Sequence, residues 1–402
     1  MPNPSAQGTP TDRPPSALFA YGFRPFFWAA GAFALLGIAA WLWIQMTGSL
    51  PLRGHPPQVW HGHEMLFGFI GAAIAGFLLT AVPSWTGARG FAGAPLMLLV
   101  ALWLAGRLAF AAADALPLAL VAVCELAFFP ALVLLLAPPL LRSRNRNAPL
   151  LLVLLAIWVS DAVFLFALAR GDVLLARVTL LVAIDVVLLL VTVIGGRIVP
   201  VFTANALRSR GVEPGIRSSR WLDGVVIGAM VLVVLVDAAA PWRSTAGVIA
   251  ACAAAAQAWR MSRWRSTRTF HEPLVWSLHL AYAWLPVGLA LKAAYLLTGG
   301  AWAAQWLHAL TIGVAASMVL AVMTRAALGH TGRPLVAART TAVAYTLLSV
   351  AALVRVIAPS LAVVEYRWTV IGAGVLWIAA FALFLVTYTP ILIRPRVDGR
   401  AG

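Results

Sequence analysis

Apolar stretches of about 20 residues recur along the whole chain, each long enough to cross about 30 Å of hydrocarbon as a helix. Short breaks containing Arg, Pro and Gly separate them. A bilayer offers no water to backbone N–H and C=O groups, so such segments must satisfy those groups internally, as helices. The spacing predicts twelve spans, at 26–46, 60–82, 95–112, 117–140, 149–169, 173–196, 221–239, 245–261, 273–298, 302–327, 340–358 and 368–392. The expected fold class is therefore all-α, a polytopic membrane protein built as a bundle of about twelve transmembrane helices. A sequence of 402 residues that is 62% hydrophobic and only 10% charged lies far from ordinary soluble domains.

The formal net charge of +16 does not imply nucleic-acid binding, because most of the arginines lie in or beside the breaks between spans and form no clustered basic face. They orient the chain instead. Arg142, Arg144 and Arg146 follow span four; Arg208, Arg210, Arg217 and Arg220 follow span six; Arg260, Arg263, Arg265 and Arg268 follow span eight; Arg325, Arg333 and Arg339 flank the break after span ten. By the positive-inside rule these breaks are cytoplasmic, which puts both termini in the cytoplasm and the protein in a bacterial cytoplasmic (inner) membrane. The opposite breaks carry little: Arg53, Asp114, Asp172, Asp237 with Arg243, and the Gly299-Gly300 turn.

Residues 1–20 are expected to form a disordered cytoplasmic tail, 21–394 a single membrane domain and 395–402 a second cytoplasmic tail. The start is Pro-, Ser- and Thr-rich without the pattern of a signal peptide, so the first span is expected to be retained. The break at 197–220 is basic and too short for an independent core. No internal repeat relates the two halves. Cys124 and Cys252 lie singly inside spans and read as small buried hydrophobes, with a thiolate metal ligand as the alternative. Trp60, Trp85, Trp221, Trp242, Trp302 and Trp368 sit near span ends, as interfacial anchors do.

Seven histidines occur: His55, His61, His63, His271, His279, His308 and His330. Within a membrane, ionisable side chains mark ion pathways, proton relays or cofactor ligands. His61, His63 and Glu64 open span two, and His308 lies early in span ten, which begins on the same outer side. Two helices thus offer imidazoles at nearly one depth, the arrangement that bis-imidazole ligation of haem between helices requires. In a continuous helix His61 and His63 point about 200° apart, so the pair is expected to do two jobs. One ring is free to ligate haem while the other faces copper, a second haem or a propionate; residue type does not choose between copper and iron. Interfacial histidines bonded to loops remain the alternative.

His279 in span nine is either a ligand or a histidine bonded to a neighbouring helix. His330 follows span ten, about 33 Å of helix away from His308, so these two cannot share one iron. His55 and His271 are assigned to solvent. Arg107, Glu125, Asp161, Asp185 and Lys292, the only lysine, are buried charges that must pair or line a hydrated cavity. Glu125, Asp161 and Lys292 map to the outer half alongside the histidines.

Gly22-Phe23-Arg24-Pro25-Phe26-Phe27, Trp60-His61-Gly62-His63-Glu64-Met65-Leu66-Phe67-Gly68-Phe69, Ala75 through Pro83, and Trp85-Thr86-Gly87 closely resemble the NnrS family. So do Gly195-Gly196-Arg197-Ile198-Val199-Pro200 with Phe202 to Asn205, Leu278 to Trp284, His308 to Thr311, and Met323 to Pro334. The resemblance covers almost the whole membrane domain. It implies haem, copper and a link to nitric-oxide metabolism or nitrosative-stress resistance, with His61, His63, His279, His308 and His330 on the matching motifs as cofactor-binding positions. Of these, His61, His63 and His308 are the metal candidates. The expected partners are the lipid bilayer and nitric oxide or a related small molecule, with no nucleic acid; neither the electron donor nor any catalytic residue is specified. Two other readings stand beside it: an ion-coupled secondary transporter using the buried Lys, Glu and Asp residues, and a non-enzymatic haem or metal handling protein.

Overall fold

The computed structural model describes residues 16–399 except 50, 51, 53, 218, 240–242 and 362–363. Arg53 and Trp242 therefore lie outside the described residues. Twelve long helices follow in the expected order. They are α1 (Phe23–Thr47), α2 (Pro57–Thr86), α3 (Ala94–Ala111), α4 (Leu118–Arg142), α5 (Leu150–Arg170), α6 (Val173–Arg208), α7 (Arg220–Ala238), α8 (Arg243–Ser262), α9 (Pro273–Thr298), α10 (Ala301–His330), α11 (Arg339–Ile357) and α12 (Tyr366–Ile393). Among the described residues there is no strand.

Eleven of the twelve are long and apolar enough to cross a membrane by length and composition. The exception is α8, whose run of alanines is less hydropathic. Contacts at both ends show that it nonetheless runs antiparallel to its neighbours over their common length. Near its finish, Arg260 reaches Asp223 at the start of α7 and Tyr282 in the first half of α9. Near its start, Gly247 abuts Leu296 and Leu297 at the end of α9.

Neighbours in sequence pack together from α3 onward, and α12 returns to pack against α1. Helices α2, α6, α9 and α10 are more than half buried and make the centre, whereas α3, α4, α7 and α12 mainly face outward. Side-chain size explains the close approach at two central points. A Cβ on Gly68 of α2 would overlap the Phe33 ring, and one on Gly313 of α10 would overlap Trp284. Both glycines lie in π-helical segments, Glu64–Ile70 and Ala309–Ala316. Such segments are rare and gather at functional sites.

Several sequence expectations shift. Helix α6 continues through Pro200 to Arg208, because Val199, Thr203 and Leu207 stay buried against the bundle; the break before α7 shrinks to 209–219. His330 is the last residue of α10 instead of a loop residue. Asp237, at the end of the seventh expected span and also counted with the outer break, belongs to α7. Trp60 is buried, unlike Trp221, Trp302 and Trp368, which face outward as anchors would. Cys252 lies on the outer surface of the bundle and Cys124 is half-buried. Ahead of α1, Ala17–Phe19 forms a short 3-10 turn whose Phe19 carbonyl accepts from the Gly93 backbone N–H.

Candidate functional site

A cavity of about 550 Å³ opens near the starts of α2 and α10, within the size range of cofactor and ligand pockets. Residues from α1, α2, α6, α9, α10, α11 and α12 line it. His61 and His308 both face into it, from two helices, each just ahead of a π-helical segment. The His61 ring stacks on Trp41, 4.4 Å between centroids and 23° between planes. Its Nδ1 is buried with no hydrogen-bond partner, an arrangement that costs free energy unless a ligand completes it. Arg355 is buried at the wall, held by Gln305 (2.6 Å to Oε1) and the Tyr366 hydroxyl (2.5 Å). Arg177 lines the same cavity and remains exposed, and Trp306 and Trp377 add aromatic walls. A mainly apolar slot lined by two imidazoles and two guanidiniums has the donor set a haem requires: nitrogens for the iron, cations for the propionates.

His63 occupies a different place. The two-residue spacing carries it to the opposite side of α2, where it is fully buried between Phe110 and Phe164, at 3.8 and 4.7 Å between ring centroids. Its Nδ1 lies 3.3 Å from Glu64 Oε1 and its Nε2 3.1 Å from Asp161 Oδ1. Arg107 donates from Nη1 to Glu64 Oε1 at 2.5 Å and from Nη2 to Glu125 Oε2. Helices α2, α3, α4 and α5 thus bring three carboxylates, one guanidinium and one imidazole together away from water. Both ring nitrogens face carboxylate oxygens, an arrangement that calls for positive charge at the ring, from a proton or a metal ion. Glu125 Oε1 has no partner, and donor atoms of His63, Glu125 and Asp161 lie within 4.8 Å of one another, close enough to ligate one ion.

Lys292 belongs to neither site, although its expected depth matched that of Glu125 and Asp161. It bridges Asp185 on α6, at 3.5 Å, and Asp237 on α7, and its ammonium lies 5.0 Å from the Trp306 ring centroid. Trp306 also lines the histidine cavity, so this triad stands directly behind the wall. Lys292→Met is expected to leave the buried Asp185 facing the half-buried Asp237 with no cation between them, at a cost of about 3 kcal/mol. Thermal unfolding in detergent should show the loss and a partial recovery in Lys292→Met/Asp185→Asn; an unchanged midpoint in the single variant would mean the carboxylates are already compensated.

The other histidines lie away from both of these places. His279 has both ring nitrogens engaged, Nε2 at 2.7 Å from Thr203 Oγ1 and Nδ1 at 2.9 Å from Ser266 Oγ, which leaves none for a metal. His330 stacks on Tyr21 at 6.2 Å and contacts Phe23, while its carbonyl accepts from Arg396 at 2.7 Å. His271 is exposed, but His55 is half-buried with Nδ1 enclosed, so only the first is a solvent histidine.

Three further buried or cavity-lining arginines stand out in the structure. Arg177 and Arg355 are charges inside apolar spans, which is itself a sequence signal. Arg260 is buried too, bonded to the Thr192 carbonyl at 2.9 Å, Gln257 Oε1 at 3.3 Å and the Tyr282 hydroxyl. Its position in a run of arginines disguised it as one more orienting charge.

The fold and site define a polytopic helical membrane protein with a two-histidine cavity in its core and a buried histidine–carboxylate cluster beside it. The chain belongs to the NnrS family: the family model described as NnrS protein matches residues 17–396. No curated protein matches the chain.

Proposed function

We infer that this protein holds haem and copper in a bacterial cytoplasmic membrane and acts in nitric-oxide metabolism or nitrosative-stress resistance. The observation that carries this reading is the shared cavity of His61 and His308, with Arg177 and Arg355 beside it. A bound haem supplies an iron centre whose potential and affinity for diatomic ligands follow from its axial ligands and surrounding polarity. His61 and His308 would hold the iron through ring nitrogens, Trp41 fixes the His61 ring, and the aromatic walls would flank the macrocycle. Arg355, itself pinned by Gln305 and Tyr366, is set to pair with a propionate. Copper fits the His63, Glu125 and Asp161 donors, since imidazole and carboxylate both serve Cu(II). Nitric oxide is small and uncharged and reaches such a site through lipid.

A reduced-minus-oxidised visible spectrum of the purified protein tests the reading. A haem signal is expected, and cells lacking the protein should grow poorly under nitric-oxide stress. No haem signal would leave ion-coupled transport, with the Asp185, Lys292 and Asp237 triad at its centre, as the better account. Turnover of nitric oxide would separate an enzyme from a metal-handling protein.

The orientation follows from the arginine asymmetry. Reporter fusions after Arg146, Arg217, Arg265 and Arg339 are expected to score as cytoplasmic, and those near Asp172 and Gly300 as periplasmic. Periplasmic activity at Arg265 would invert the assignment and put the histidine cavity on the cytoplasmic side.

A further inference from the structure

The histidine cavity adjoins a second one. Between α2, α6 and α10 lies an entirely apolar cavity of about 80 Å³, and Ile70 borders both. Along each helix the walls of one succeed those of the other within a turn: Ile70 to Ala73, Ile184 to Val187, Ile312 to Ala315. The two π-helical segments end at this junction, at Ile70 and Ala316. On its outer side the second cavity is bordered by Phe77, Val191 and Val322, which are only half-buried. It therefore meets the outside of the bundle on a side-facing surface, while at its far end Ile194 and Ile198 separate it from a polar cavity lined by Arg146, Asn147 and Arg197.

We propose that this cavity is a binding site and lateral passage for small uncharged gas molecules, leading from the lipid to the cavity of His61 and His308. Its walls have no polar side chain, so a water there would lack the two to four hydrogen-bond partners it needs; ions are excluded more strongly. Room is not limiting, because about 10–15 Å³ of such volume already holds one water. Dry apolar cavities take apolar guests such as xenon. The passage rests on the reading that the histidine cavity holds haem; the binding site does not.

Two measurements test it on the full-length protein in lipid nanodiscs. Xenon, read by its NMR signal, is expected to bind the wild type. Val191→Phe should fill the cavity, abolish that signal and slow severalfold the carbon monoxide rebinding that competes with return of the displaced imidazole after flash photolysis, without moving the Soret band. Ile74→Ala enlarges the cavity and should keep xenon and association at least as fast. Should Val191→Phe fail to fold, Ala73→Leu blocks from the facing helix.

No xenon in the wild type, or xenon retained in a folded blocking variant, would overturn the site. Xenon lost with carbon monoxide association unchanged would overturn the passage. A protein without haem would fail the carbon monoxide measurement, and with it the haem reading and the passage, while xenon still decides the binding site.

Discussion

His61→Ala and His308→Ala are each expected to abolish the Soret band or shift and weaken it strongly, whereas His271→Ala leaves it intact. The two imidazoles face one cavity from separate helices, so neither substitution is compensated by the other ring. Removing His61 also removes the unpartnered Nδ1 and its stacking on Trp41, so the apoprotein should remain folded while the cofactor is lost. His279→Ala supplies the contrast. It breaks hydrogen bonds to Thr203 and Ser266 and should lower stability by about 1–3 kcal/mol without changing the spectrum per mole of protein. Full, unshifted haem content in both cavity variants would rule this site out. Loss of haem with undiminished protection against nitric oxide would instead detach the haem from the physiology.

Arg107→Met is expected to be the most destabilising single change in the chain. The guanidinium is shared by Glu64 and Glu125, with Asp161 next in the cluster, and all are buried. Deleting it leaves three carboxylates with only His63 to balance them, at a cost of about 3–5 kcal/mol or more. Low yield of folded protein and a lowered unfolding midpoint are the signatures. Arg107→Met/Glu125→Gln should recover part of the loss, because residues in one charge network couple non-additively. Equal instability of the single and double variants would show that Arg107 acts through packing, for instance over the Phe33 ring. A wild-type midpoint for Arg107→Met would show that the cluster carries less negative charge than its residue types imply.

The helices were legible one by one. A segment of about 20 apolar residues has one stable form in lipid, so local composition fixed their existence, order and approximate ends. The misses arose where a neighbour changed the local cost. Pro200 and a basic flank suggested that the sixth helix stops early, yet burial of Val199, Thr203 and Leu207 carries it on. Asp237 ends the seventh expected span, where an unpaired aspartate is ordinary; only its pairing with Lys292, far along the chain, ties it to the bundle.

The site divides along the same line. Helical spacing alone set His61 and His63 on opposite sides of one helix, and alternating direction set His308 near the depth of His61. Those facts follow from 3.6 residues per turn and need no partner. Which carboxylates surround His63, why Lys292 stands apart from Glu125 and Asp161 despite a similar depth, and which arginines border the cavity are different matters. They depend on how each helix is rotated about its axis and on which helices adjoin. Side-chain packing across the whole bundle sets both, through close approaches such as Gly68 on Phe33 and Gly313 on Trp284. A linear sequence states the depth of a residue in the membrane; the azimuth, and with it the partner, exists only once the helices have packed.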